Sequence, residues 1–128
     1  KLDEYPTIGS GNLKKEVITQ NGESTTYDSE NDNDTENIAA VAGGLGVVSL
    51  DKVADYSVED EHLSEYGLDE KSRITVEATY TEEKKEKVLT LYIGKEDGSG
   101  NRYVMINDSK IVYLISTEIC NNILNVED

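Results

Sequence analysis

Between residues 74 and 115, four short runs rich in β-branched and aromatic residues follow one another: Ile74–Tyr80, Val88–Ile93, Arg102–Asn107 and Ile111–Ile115. Each is bounded by charged residues or by Gly, Asn, Asp and Ser, the composition of strands joined by tight turns. In the first, Ile74, Val76, Ala78 and Tyr80 share one face while Thr75, Glu77 and Thr79 share the other. That two-residue period belongs to a half-buried antiparallel strand. In the second, Leu89, Leu91 and Ile93 face in, with Thr90 and Tyr92 facing out. The last two runs are apolar on both faces and are expected to lie centrally or under cover. Thr81–Lys87, Gly94–Asn101 and Asn107–Lys110 read as the connecting loops. Gly94 reads as the end of the second strand.

Upstream, Lys1–Asn12 holds the only proline, Pro6, and reads as an irregular lead-in. A hairpin is predicted over 16–27, because Asn21-Gly22 separates Glu16–Gln20 from Glu23–Tyr27 and both central residues of a type I′ turn need positive φ. Asp28–Glu36 is an acidic loop. Ile38, Val41, Ala42 and Leu45 then mark one face of a helix over Thr35–Leu45, weakened and stopped by Gly43, Gly44 and Gly46. Val47–Tyr56 reads as a buried connection containing a short strand. A helical turn from Asp60 or Glu61 to Tyr66 places Gly67 at a left-handed cap. Ser116 is placed to cap a last helix carrying Ile119, Cys120, Ile123 and Leu124.

The fold expected is α+β: an antiparallel four-stranded β-meander with helices packed on one face, plus an N-terminal β-hairpin, in a single domain over 1–128. Its core is expected to comprise Ile38, Val41, Leu45, Val53, Leu68, Ile74, Val76, Leu89, Leu91, Ile93, Tyr113 and Ile123. Apolar residues amount to 36% of the chain, and its aromatics are eight Tyr with no Phe or Trp. Such a core rests on Ile, Val and Leu, with tyrosine hydroxyls at its margins.

With 12 Lys and Arg against 27 Asp and Glu, the net charge is −15. This argues against nucleic acid or anionic lipid as a partner, since phosphate binding needs clustered cations. No apolar run reaches the length of a membrane helix, so no membrane insertion by this chain is expected. The chain starts within a polar segment, as expected of a piece whose leader lies upstream.

Motifs for chemistry are few. Asp28, Glu30, Asp32 and Asp34 are weak candidates for a cation site. A calcium loop starting at Asp28 would need Gly and Glu where Asn33 and Ala39 stand, and a solvated loop leading into a helix fits better. His62, the only histidine, lies in an acidic segment without a nucleophile signature and reads as a surface residue. Cys120, the only cysteine, sits on the apolar face of the last helix and reads as a small hydrophobe. Gly94–Gly100 lacks the Gly-Lys-Ser/Thr ending of a phosphate loop. No catalytic residue, metal or cofactor is assigned from these residues.

The order Glu65-Tyr66-Gly67-Leu68-Asp69, strand, Leu91-Tyr92-Ile93-Gly94, Gly-containing loop, Arg102-Tyr103-Val104 and Ile111-Val112-Tyr113-Leu114 before a helix resembles the bacterial domain-of-unknown-function family 4340. The resemblance runs over roughly Val17 to Leu124, with Thr35–Leu45 and Lys52-Val53-Ala54-Asp55 matching its upstream part. It implies an extracytoplasmic, cell-envelope domain behind a membrane anchor, acting by contact with an envelope protein or an ABC-transporter component. It implies no catalytic residue. Tyr66, Gly67, Leu68 and Gly94 carry over as structural: Gly67 for a turn, Tyr66 and Leu68 for packing, Gly94 for a strand end. Small-ligand or cation binding, at the acidic loop or at tyrosine-rich edges, is the alternative. A hydrolase using His62 is the remote one.

Overall fold

The computed structural model describes residues 2–126. Nine main elements follow in chain order: β1 Leu13–Gln20, β2 Glu23–Asp28, α1 Thr35–Leu45, β3 Val53–Asp55, β4 Ile74–Glu82, β5 Lys85–Glu96, β6 Asn101–Ile106, β7 Val112–Ser116 and α2 Thr117–Leu124. Two 3-10 helices, Asp32–Asp34 and Asp60–Tyr66, precede α1 and β4. The fold class is α+β as read, but the sheet has seven antiparallel strands in the order β2-β1-β4-β5-β6-β7-β3 rather than four. The meander β4–β7 forms its middle. The hairpin continues the sheet through β1 beside β4, and β3 closes the far edge on β7. β3 is only three residues long, too short for its alternation to identify it in the sequence.

Local chemistry accounts for most elements. Asn21 and Gly22 take φ of 53° and 80°, as a two-residue hairpin needs. Thr81–Lys87 is not an open loop. β4 and β5 stay paired to Glu82 and Lys85, and the turn is Glu83-Lys84 with φ of 52° and 68°. Backbone pairing needs no apolar face, so this exposed ribbon continues beyond the apolar alternation, and Lys87 binds Glu82 across it at 2.7 Å. The Ser116 hydroxyl accepts from the Ile119 amide and caps α2 as expected. α1 runs through Gly43 and Gly44 to Leu45.

Helices α1 and α2 pack on one face of the sheet, over a core that includes Leu13, Ile38, Val41, Leu45, Val76, Leu89, Leu91, Ile93, Tyr113 and Ile123. Every residue of the expected core is buried except Val53, which is half-buried at the sheet edge. Leu91 is 1% exposed, so Leu91→Ala is expected to cost about 2–5 kcal/mol of unfolding free energy, read from denaturant midpoints. The other face is not bare. The segment 58–68, including the second 3-10 helix, covers it, and Val58, Leu68, Met105 and Val112 form a second, smaller core there. This is why β6 and β7 are apolar on both faces. Val47 and Tyr56 are 59% and 71% exposed, so Val47–Tyr56 is buried only in part.

The irregular lead-in is a packed strap. Ile8 is buried, the Tyr5 hydroxyl donates to the Leu45 carbonyl at 2.7 Å, and the Asp3 carboxylate accepts from the Ser109 and Tyr113 hydroxyls at 2.6 Å. Asn12 holds the strap's other end, donating to the Thr7 and Thr81 carbonyls.

Candidate functional site

The sheet face opposite the helices gathers the tyrosines. Alternation in β5 and β6 sends Leu91, Ile93, Val104 and Ile106 toward the helices, and therefore Tyr92, Tyr103 and Met105 to the other side. Tyr66 meets Tyr103 there with ring centroids 4.8 Å apart and planes tilted by 56°, and its hydroxyl donates to Asp55 Oδ2 at 3.0 Å. Burial first, then the bond to Asp55, raises the Tyr66 pKa. The Arg73 guanidinium lies 4.1 Å from the centre of the Tyr92 ring, a cation–π contact. Beside that pair opens a cleft of about 340 Å3, lined by Leu63, Arg73, Tyr92, Met105 and the loop 107–110. Lys110 stands on its rim, paired to Asp60 at 3.0 Å.

The signature residues build this face. Gly67 caps the second 3-10 helix at φ 69°, a left-handed conformation that side chains rarely take. Leu68 then enters the small core, fully buried. Gly94 does not end its strand. It lies inside β5 at a bulge, where Gly94 and Lys95 together oppose Tyr103. A Cβ on Gly94 would fall 2.2 Å from the Tyr66 carbonyl oxygen, so Gly94 is the seat on which the signature docks. Arg102 Nε donates to the Gly94 carbonyl at 2.8 Å and holds the bulge from the next strand.

The acidic loop is occupied with its own backbone. Asp28 Oδ1 accepts from the Glu30 amide, Asp34 Oδ2 from the Asp28 amide, and Asn31 caps the first 3-10 helix. Asp28, Glu30, Asp32 and Asp34 do not converge on a point. The carboxyl and imidazole groups of Glu59, Glu61 and His62 do, within 4.8 Å of one another, though all three are exposed. His62 also bonds Glu65, which more than anything else raises its pKa. Cys120 is buried, its thiol pushed up to about 11 by that burial, so it packs as a thiol rather than reacting as a thiolate. No helix among the described residues is long and apolar enough to cross a membrane.

One group escaped the sequence reading. Glu16 is 0% exposed, and among the described residues neither carboxyl oxygen has a hydrogen-bond partner. The signal was its two-residue spacing from buried Ile18, but the intervening apolar Val17 left the inward face of β1 ambiguous.

The model of a family described as "Domain of unknown function (DUF4340)" matches residues 25–126, from within β2 to just past α2. No curated protein and no solved structure matches.

Proposed function

We propose that this chain, which belongs to the DUF4340 family, is a non-enzymatic module held outside the cytoplasmic membrane and working by contact with an envelope or transporter protein. The observation that carries the reading is the face bearing Tyr66, Tyr92, Tyr103 and Arg73 around the 340 Å3 cleft. Tyrosine and arginine are the side chains from which protein interfaces draw most of their affinity, because each offers a large apolar surface with a polar tip. These four are half-buried, so they are already ordered before a partner arrives. The resemblance of the signature and its downstream strands to extracytoplasmic domains supports the location.

Photo-cross-linking in the native host tests the reading. A photoreactive aromatic residue at Tyr92 or Tyr103 is expected to capture an envelope or transporter protein. The same residue at Val88, which is 54% exposed on the charged β5 ribbon, is expected to capture none. Equal capture from both places, or none from either, defeats it. For the location, the gene is expected to encode, upstream of Lys1, a hydrophobic segment of roughly 15–20 residues after a basic start. Fractionation of the native protein into the cytosol would count against it.

A further inference from the structure

Glu16 lies on the helix-facing side of β1, opposite Ala78 of β4 and Tyr27 of β2 in the sheet register. The hydrophobic strap residues Tyr5 and Ile8 close the same core. The titratable groups set against it are Tyr5 from the strap, whose hydroxyl its charge acts on, Tyr80 from β4, which also acts on Tyr5, and Tyr27 on the neighbouring strand. α1 offers the apolar Leu45 side chain and a carbonyl already taken by the Tyr5 hydroxyl. Among the described residues no cation acts on Glu16, and both its oxygens are without a donor. An ionised carboxylate in such a place must find water, because an unpaired buried charge is far costlier than a buried neutral acid. The strap is the cover with the fewest ties to the sheet ladder: between residues 2 and 12 it has no strand pairing and is held by bonds at Asp3, Tyr5 and Asn12. It can open without breaking any strand pair, and its Tyr5 is the strap group on which the Glu16 charge acts.

We infer that Glu16 and the strap 2–12 form a proton-controlled latch: the strap closes over the neutral acid and lifts when Glu16 ionises. The latch precedes residue 25, where the family match begins, so it is a device of this chain's own N-terminal part.

The direction follows from the proton count. The closed form keeps the proton to about pH 8, against 4.5 for an open carboxyl, with burial as the cause. Between those values the opening equilibrium should grow roughly tenfold per pH unit and level off above them.

Amide hydrogen exchange, corrected for intrinsic rates, reads this directly. From pH 5.5 to 7.5 the strap amides of Asp3, Gly9 and Asn12 are expected to lose about 100-fold in protection. Those of β4 and β5 should hold, and Glu16→Gln, neutral at every pH, should hold the strap as well. Strap protection that is flat with pH, a Glu16→Gln chain that follows the native curve, or equal loss across strap and sheet would each overturn the latch. A carbon-13 titration of the Glu16 carboxyl reads the group itself: an inflection near 4.5 overturns the latch, and one shifted clearly upward supports it when strap protection falls over the same pH range.

Discussion

Gly94→Val is expected to destabilise the fold by about 3 kcal/mol or more, near the upper end of what overpacking costs. The added Cβ would meet the Tyr66 carbonyl oxygen at 2.2 Å and Leu68 Cγ at 3.0 Å. Neither can step aside alone. The carbonyl precedes Gly67, whose φ of 69° already fixes the turn, and Leu68 is fully buried. The strain should therefore lift the segment 58–68 as a unit, uncovering Met105 and Val112 and separating Tyr66 from Tyr103. Denaturant midpoints give the free energy, and the Met105 methyl resonance reports the second face separately from the helix-covered core. Gly43→Ala is the control, since a Cβ there meets nothing within 4 Å. In a helix interior that change should gain about 0.5–1 kcal/mol. A Gly94→Val chain as stable as the native one would mean that the signature does not rest on β5.

Global stability should fall as pH rises from 4.5 to about 8, and Glu16→Met should abolish that fall. Glu16 is an acid whose pKa is raised in the folded state, to about 8 from 4.5. Between those values the native chain holds a proton that the unfolded chain has released, so each step up in pH favours unfolding. Below 4.5 both states keep the proton, and above 8 both lose it, so the contribution is flat outside the window. Over the whole window the loss is limited to about 5 kcal/mol, and opening of the strap makes it smaller. Methionine has a similar length, no charge and flexible torsions that suit an irregular site. Denaturant unfolding at pH 5 and pH 8 should show the variant's advantage growing with pH. An advantage that stays constant, or reverses, would remove Glu16 as the source. His62 acts with the same sign but through an exposed ring: its raised pKa adds stability below 6.5 that is lost as pH rises through the folded value, and solvent screens it strongly.

What the sequence determined by itself lies where information is local. The alternation of Ile74, Val76, Ala78 and Tyr80, the Asn21-Gly22 turn, the span of α1 and the Ser116 cap are set by residues a few positions apart, and each stands as read. The signature was also visible, with Gly67 correctly placed at a cap. What only the tertiary structure decided is who stands opposite whom. Gly94 looks like a strand end in sequence, because a glycine there says nothing of the Tyr66 carbonyl about 28 residues away in the chain, which packs where its side chain would be. The three-residue β3 exists because β7 offers it an edge. The strap reads as irregular, and it is, yet Tyr5 and Ile8 are bound into the core by elements far along the chain. Glu16 is the extreme case. Its polarity argues for solvent, but a strand side chain points where the ladder sends it, and pairing on both sides of β1 with burial of Leu13 and Ile18 sends it inward.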